Sequence, residues 1–217
     1  MKRASLTKAK SKIAAFLCCI CVAATAQYKT DNSAPESSSD WSIVPTLNFY
    51  FIPDDFFILP TITADKNKLH LEARYNYEDR ETFSVWAGYN FEGGSKLTYT
   101  ITPMAGGVFG LSNGLAPGLR FELNYSRLTL ASESEYFFDL DEKQNNFYYN
   151  WSDLSYSITD WLWSGVSVQR TRAYSTSLDL QYGLLIGGGY KRWELNTYVY
   201  NIGNVETFLM VSISAEF

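Results

Sequence analysis

Beyond residue 26 the sequence contains no cysteine, a single histidine and no apolar run long enough for a membrane-spanning helix. All three cysteines lie earlier, at Cys18, Cys19 and Cys21. A chain processed after residue 26 therefore has no disulfides, and its lone His70 excludes a zinc site of the usual kind. Because a membrane helix needs about 20 consecutive apolar residues, any membrane crossing must use β-strands.

Acidic residues are missing from the first 26 positions, which carry five basic residues followed by the apolar stretch IAAFLCCICVAATA. A basic segment, a short apolar segment and small residues before a cleavage point are typical of a secretory signal peptide. We predict a signal peptide over residues 1–26, cleaved after Ala26. Residues 27–40 are polar and predict a flexible lead-in, and residues 41–217 have the length of one domain.

Basic residues are also scarce after the leader. Without its five bases the chain keeps 13 Lys and Arg against 23 Asp and Glu, a net charge of −10. This sign argues against a nucleic-acid partner. It favours cations near any polar cavity.

The pattern that is present throughout is alternation. In KLHLEARYNYE, residues 68–78, apolar side chains alternate with polar and charged ones. Period-two alternation predicts a β-strand, and no segment keeps the 3.6-residue period of a helix. The sequence predicts an all-β fold of about twelve strands (a count between 10 and 12), with cores near 42–52, 57–64, 68–78, 82–91, 96–108, 117–125, 127–138, 147–158, 161–173, 178–190, 193–200 and 205–217.

Two irregularities are expected within these strands. Aromatic and aliphatic residues change parity around Ser152 and Asp153, which predicts a β-bulge there. Proline has no backbone N–H to donate to a neighbouring strand, so we expect local bulges or strand ends at Pro45, Pro60 and Pro103.

The chain resembles bacterial outer-membrane β-barrel proteins as a broad class. The resemblance rests on the leader ending in ATA, the alternating body, connections that alternate between tight and longer, and the last strand FLMVSISAEF closing on Phe217. It implies a closed antiparallel up-and-down transmembrane β-barrel in the outer membrane. It also implies contact with outer-membrane lipid, and a role for Phe217 as a signal read by the barrel assembly machinery.

Within such a barrel the apolar face would contact lipid and the polar face the lumen. A soluble secreted barrel would instead turn the apolar face inward around a ligand. Aromatic residues favour the membrane alternative because they cluster toward both strand ends, as in the two interfacial belts of membrane barrels. One end has Trp41, Trp161, Trp163, Trp193 and Phe217, and the other has Phe51, Phe57, Tyr77, Phe138, Phe147 and Tyr200.

The predicted lumen is polar and of mixed charge, with an acidic excess. Its expected lining residues are His70, Glu72, Arg74, Asn90, Arg120, Glu122, Glu133, Glu135, Asp179, Gln181 and Glu194. Buried charges must be hydrated or paired, so the lumen is either a narrow water-filled pore or is plugged by its own salt bridges.

Catalytic and metal sites receive weaker support. His70 with Glu72 could be part of a hydrolase site, but Gly110 stands where outer-membrane phospholipases have the histidine of their His-x-Ser-Asn-Gly motif, before Ser112-Asn113-Gly114. Acidic pairs such as Asp54-Asp55 could bind calcium or magnesium, though solvated surface charge is the more ordinary explanation. We predict no enzyme activity, no metal and no cofactor.

Three functions follow from these features. The first is a narrow outer-membrane channel for small hydrophilic solutes with a mild cation preference. The alternative is a structural or interaction barrel with a plugged lumen. A lipid-acting enzyme is the third.

Overall fold

A computed structural model of the protein describes residues 40–172 and 180–217. The predicted signal peptide, the lead-in up to residue 39 and the predicted lumen residue Asp179 lie outside the described residues. Among the helical segments of the described ranges, none is long and apolar enough to cross a membrane.

The described residues form thirteen strand segments and one short 3₁₀ turn at Lys143–Asn145. The strands are β1 Ser42–Ile52, β2 Asp55–Lys66, β3 Leu69–Tyr75, β4 Thr82–Tyr89, β5 Phe91–Gly94, β6 Leu97–Gly110, β7 Gly114–Tyr125, β8 Leu128–Asp139, β9 Phe147–Ser157, β10 Leu162–Arg170, β11 Gln181–Tyr190, β12 Trp193–Tyr200 and β13 Phe208–Ala215.

These strands close into a barrel. Consecutive strands pair antiparallel, except that β4 and β5 both pair with β6. The first and last strands, β1 and β13, pair from Thr46 opposite Ser214 to Phe51 opposite Leu209. Beyond that ladder, the backbone N–H of Ile43 donates to the carbonyl of Phe217 and the N–H of Phe217 donates back, each at 3.0 Å. The closed antiparallel β-barrel predicted from the sequence is confirmed, with twelve spanning strands.

Strand segments β4 and β5 together make one of the twelve spanning strands. Both pair with β6 in a single register, with Gly88 opposite Met104 and Phe91 opposite Ile101. This register puts the interruption between them opposite Pro103, which cannot donate a ladder hydrogen bond. β6 itself continues through Pro103, so the irregularity there is an interruption of its ladder with β4 and β5 and not a strand end.

Pro45 and Pro60 cause no bulge, since the β1–β2 ladder keeps its register through both, but each lies at the end of its other ladder. The β1–β13 ladder begins at Thr46, next to Pro45, and the β2–β3 ladder begins at Thr61, next to Pro60. The bulge predicted in β9 is wrong, since Ser152 lies opposite both Ser132 and Val168 in continuous ladders. The parity change in the sequence instead reflects aromatic residues on the inner face of β9.

The two faces of the barrel differ as the alternation predicts. On β3, Leu69 and Tyr75 are exposed on the outside, whereas His70, Glu72 and Arg74 are buried inside. The same pattern leaves Leu47, Val85, Leu119, Val166 and Leu184 exposed on the outer surface of other strands. Strands in hydrocarbon require an apolar outer face and a closed set of backbone hydrogen bonds, and this barrel has both.

Strand β1 begins, and the described chain ends at Phe217, at the same end of the barrel. Tight turns join the strands there, at residues 67–68, 95–96, 126–127 and 191–192. Since outer-membrane barrels keep short turns and both termini on the periplasmic side, we refer to this end as periplasmic and to the other as extracellular.

The inner packing generates a prediction at Gly106. A Cβ atom at this position would lie 2.4 Å from the Trp86 indole, whereas one at Gly189 would meet its nearest neighbour, Trp163, at 3.6 Å. We expect Gly106→Ala to destabilise the barrel by about 1–3 kcal/mol through overpacking and Gly189→Ala to be nearly neutral.

The measurement is the temperature at which the folded band of an unboiled detergent sample converts to the unfolded band on a gel. Equal transition temperatures for the two variants would contradict the packing of Trp86 against β6.

Candidate functional site: the barrel lumen

The structure places the predicted lumen residues at three levels. The middle level contains the buried residues His70, Glu72, Arg74, Asn90 and Glu135. Glu133 lies half-buried beside them, and the partly exposed Arg120 reaches them from β7. Gln181 is buried on the opposite wall at the extracellular end of β11. Glu122 and Glu194 are exposed near the periplasmic end.

Arg74 is the centre of the middle level. From β3 its guanidinium reaches across the lumen to β8, where Nη1 lies 2.9 Å from Glu135 and Nη2 lies 2.7 Å from Glu133. Its Nε donates to Glu72 Oε2 at 2.6 Å, and Glu78 lies 3.7 Å from Nη1. One guanidinium thus neutralises parts of four carboxylates in an almost solvent-free setting.

Two aromatic rings support this guanidinium. Its Cζ lies 4.2 Å from the Tyr77 ring centroid and 4.5 Å from that of Trp86. The Tyr77 hydroxyl donates to Glu133 at 2.8 Å, and the Trp86 indole N–H donates to Glu78 at 3.2 Å. The rings therefore hold both the cation and two of its carboxylates. We call Arg74, Glu72, Glu78, Glu133, Glu135, Tyr77 and Trp86 the Arg74 network.

Two carboxylate oxygens of this network have no hydrogen-bond partner among the described residues. Within the described part of the chain, Glu78 Oε2 and Glu135 Oε1 are buried without a hydrogen-bond partner. Glu78 lies in the turn after β3, and burial raises the pKa of its carboxyl, an effect that nearby Arg74 opposes. A raised pKa favours the neutral form of Glu78 in the folded barrel.

His70 extends the network toward the periplasmic end. Its Nδ1 lies 2.7 Å from Asp65 and its Nε2 lies 2.6 Å from Glu72. Asn90 donates to the same Asp65 oxygen at 2.7 Å and accepts from Thr102 at 2.6 Å. Both ring nitrogens face carboxylates, so both contacts are hydrogen bonds only when the imidazole carries two protons.

A second polar group around Asp153 was not found by sequence reasoning. One Asp153 oxygen accepts from the Trp151 indole at 2.9 Å and from Ser167 at 2.5 Å, and the other accepts from the Tyr198 hydroxyl at 2.9 Å. The expected bulge had obscured the parity of this strand. Continuous alternation through β9 would have placed Trp151 and Asp153 on the inner face.

Aromatic side chains fill the extracellular half of the lumen. Tyr50 stacks on Phe57 at 4.6 Å between ring centroids, Tyr200 stacks on Phe208 at 4.9 Å, and Tyr77 packs against Tyr149 at 4.8 Å. We call six of these lumenal residues the aromatic cluster, and all six are almost fully buried: Tyr50, Phe57, Tyr149, Tyr198, Tyr200 and Phe208.

This cluster corrects part of the aromatic-belt prediction. Phe57, Tyr77, Phe147 and Tyr200 pack inside the lumen, and only Phe51 and Phe138 of the predicted extracellular belt are exposed. At the periplasmic end Trp41, Trp161, Trp193 and Phe217 are exposed as expected. Trp163 turns inward and donates to Asn196 at 2.8 Å.

The periplasmic half of the lumen contains a cavity of about 350 Å³. Its walls include Glu72, Arg120, Glu122, Glu133 and Asp153, together with hydroxyl and amide side chains of β1 and β2. Arg74 and Tyr77 form part of its boundary. A much smaller cavity of about 10 Å³ lies on the other side of Arg74 and is lined by Glu78, Glu135 and Tyr149. The Arg74 network therefore separates two cavities.

Four carboxylates face the periplasmic mouth of the lumen. Glu92, Glu122, Glu194 and Glu216 are exposed on inward positions of their strands or just beyond them, alternating with outward neighbours such as Phe91 and Leu195. Glu216 accepts from Ser42 across the β1–β13 junction at 3.0 Å. The entrance to the larger cavity is consequently acidic.

The hydrolase and metal hypotheses find no assembled site. His70 lies near the periplasmic end of β3, whereas Ser112 is in the extracellular turn after β6, where it donates to Asp79 at 3.0 Å. Across residues 40–172 and 180–217, no group of three or more His, Cys, Asp or Glu side chains is arranged to hold a metal ion.

Comparison with known proteins identifies the fold. No protein-family model matches the sequence, and no curated protein matches it significantly. Among solved structures, a KdgM porin is similar with a TM-score of 0.57 and 19% identity, over 81% of this chain and 99% of the porin. A KdgM porin in complex with disordered oligogalacturonate has a TM-score of 0.58 and 18% identity over the same shares of 81% and 99%.

The outer membrane protein Omp33 of Acinetobacter baumannii is also similar, with a TM-score of 0.50 and 12% identity over 82% of this chain and 99% of Omp33. At these identities the likeness shows a shared fold, that of outer-membrane β-barrels, which confirms the predicted class and location.

The geometry of Arg74 generates a prediction on stability. Arg74→Met leaves four carboxylates near one another without their shared cation, and we expect a loss of about 3–5 kcal/mol in the free energy of unfolding. Arg120→Met is the matched control, because the Arg120 side chain is 44% exposed and exposed ion pairs contribute about 1 kcal/mol or less.

Urea unfolding of barrels folded into lipid vesicles, followed by tryptophan fluorescence, measures both effects. The Arg74→Met defect should shrink at acidic pH as the carboxylates become protonated. A defect that is equal in the two variants, or independent of pH, would show that Arg74 does not serve as the shared cation.

Proposed function

We propose that this protein is a narrow outer-membrane channel for small hydrophilic solutes, with a preference for cations. Its constriction is formed by the Arg74 network and the aromatic cluster. The observation that carries the proposal is the sorting of charge along the lumen, with an acidic mouth leading to a polar cavity that ends on a charged barrier.

The acidic mouth supports the cation preference. Glu92, Glu122, Glu194 and Glu216 face the entrance of a narrow lumen surrounded by low-dielectric walls. Such an arrangement concentrates cations and repels anions. Arg120 lies deeper and is already paired with Glu72 at 3.3 Å, so it offsets little of the charge at the mouth.

The ion pairs of the Arg74 network favour a solute pathway over a lumen that is filled only for stability. Burying several ionised groups costs several kcal/mol per ion before pairing, and apolar side chains of similar volume often stabilise as well or better. A lumen selected only for rigidity would therefore favour apolar residues, like those of the aromatic cluster. Arg74, Glu72 and Glu133 instead line the larger cavity, where they offer polar contacts to a solute that reaches the barrier.

The ligand of the similar porin does not transfer directly to this chain. Oligogalacturonate carries a carboxylate on each sugar unit, and the mouth of the present barrel is itself lined by carboxylates. Like charges on wall and solute disfavour entry, so we propose neutral or cationic solutes.

A structural barrel with a closed lumen is the second candidate. It is favoured by the extracellular half, where the Tyr200 and Met210 side chains are completely buried. The two candidates differ in one measurable property, since a permanently filled lumen carries no current.

Planar-bilayer recordings test the proposal. Small, discrete conductance steps with a reversal potential that favours cations in a potassium chloride gradient are the expected result. Protein that is folded by the gel-shift criterion but never conducts would support the closed barrel instead.

Neutralising the mouth should change selectivity. We expect the double variant Glu122→Gln, Glu194→Gln to move the reversal potential toward that of a neutral pore, because both side chains are lumenal and exposed. Glu142→Gln, in an extracellular turn, is the control and should leave selectivity unchanged. Equal shifts in both proteins would mean that selectivity is not set at the periplasmic mouth.

Removing rings from the barrier should change conductance. Tyr77 and Tyr149 pack together beside Arg74, so Tyr77→Ala with Tyr149→Ala should widen the constriction and raise the single-channel current. The control pair Phe51→Ala with Phe138→Ala removes outward rings of similar size. An unchanged current in the Tyr77, Tyr149 variant would place the constriction elsewhere.

A further inference from the structure

The outer surface of the periplasmic rim carries four pairs of a basic side chain and an exposed ring. Trp41, Tyr89, Tyr190 and Phe217 are 40–59% exposed on outward positions. Lys66 lies over Trp41 and Lys68 over Tyr89, each with Nζ 5.7 Å from the ring centroid. Lys191 lies 5.3 Å from the Tyr190 centroid, and Arg192 Cζ lies 4.9 Å from that of Phe217.

These four pairs form one continuous surface. Their residues belong to the ends of seven neighbouring strands in the order β4, β3, β2, β1, β13, β12 and β11. We call the eight residues the basic arc. The junction of the first and last strands lies within it, and Ile43 and Phe217 are joined there by two backbone hydrogen bonds.

The remaining rim differs from the basic arc. On that side, Arg127 donates to the carbonyl of Ile158 at 3.2 Å, so part of its guanidinium is already used. Trp161 follows directly after the acidic Asp160. Three acidic residues adjoin the arc in sequence. Asp40 lies beside Trp41, whereas Asp65 points inward to His70 and Glu216 points inward to Ser42.

The extracellular rim has the opposite charge. Its turns and strand ends contain nine acidic residues against four basic ones in the described ranges. The acidic residues are Asp54, Asp55, Glu78, Asp79, Glu81, Asp139, Asp141, Glu142 and Glu206, and the basic ones are Arg80, Lys143, Arg170 and Arg172. Arg80 is paired with Asp55. Positive charge that faces the lipid is therefore concentrated at the periplasmic end.

A cation held over a ring at this depth meets the phosphate layer of a bilayer. Tryptophan and tyrosine occupy the boundary between headgroups and acyl chains, and lysine and arginine stems extend along apolar surface to bring their charges to the headgroups. Each such charge adds attraction for anionic lipid. Ring contacts also limit the freedom of the side chains, which lowers the entropic cost of binding.

We propose that the basic arc binds the phosphate groups of anionic phospholipids in the periplasmic leaflet. The occupant is a phospholipid with a net negative headgroup, held by Lys66, Lys68, Lys191 and Arg192 while its chains lie against the outward apolar residues. This inference does not depend on whether the lumen conducts.

Native mass spectrometry of the folded barrel in detergent tests the proposal with three probes. Phosphatidylglycerol, phosphatidylcholine and lipid A are titrated separately, and the bound fractions are compared. The wild-type protein should prefer phosphatidylglycerol over both. Equal binding of phosphatidylglycerol and phosphatidylcholine would overturn the charge recognition, and tighter binding of lipid A would overturn the leaflet assignment.

Two matched variants locate the site. The arc variant combines Lys66→Gln, Lys68→Gln, Lys191→Gln and Arg192→Gln, and should lose about tenfold or more of the preference for phosphatidylglycerol over phosphatidylcholine. The control variant combines Lys96→Gln, Arg127→Gln and Lys143→Gln outside the arc and should keep it. The unboiled gel band confirms that both are folded, and an equal loss in the control, or no loss in the arc variant, would overturn the proposal.

Discussion

Closure of the backbone in hydrocarbon is the constraint on which this structure depends. A strand edge in lipid would leave N–H and C=O groups unpaired at a cost of several kcal/mol each, and the β1–β13 ladder removes the last edge. Closure then fixes the division of side chains, because each strand must place alternate residues on lipid and in the lumen. The apolar outer face and the polar inner face are two results of this one geometric requirement.

The lumen has to accommodate the charges that closure places inside it. Twelve strands enclose more space than side chains of one kind readily fill, and this barrel divides that space between aromatic stacking at the extracellular end and ion pairs at mid-height. Arg74 joins the two regions, since it contacts the Tyr77 ring as well as Glu133 and Glu135 on the opposite wall. Tyr77 reaches this position because Asn76 has a positive φ of 59°, which breaks the alternation at the end of β3 and turns the ring inward.

That turn illustrates the limit of prediction from sequence. The alternation of apolar and polar residues was sufficient to predict the strands, because orientation within a strand is a local property. It also selected residues such as His70, Glu72 and Arg74 for the inner face. It could not predict that Arg74 meets Glu135, 61 residues later in the chain, since contacts across a lumen depend on barrel closure and strand order. It also misjudged aromatic residues, because the same rings suit a membrane interface and a filled lumen; Tyr77, Tyr200 and Phe57 belong to the second setting.

Alternation also separates charge of opposite sign at the periplasmic rim. Glu216 and Phe217 are consecutive, yet the carboxylate bonds to Ser42 at the lumenal mouth while the ring lies outside under Arg192. The pleat therefore allows the same few residues to present a negative surface to a solute and a positive surface to lipid phosphate. An acidic mouth and a basic outer rim are thus compatible within one turn, because the pleat assigns neighbouring side chains to opposite faces.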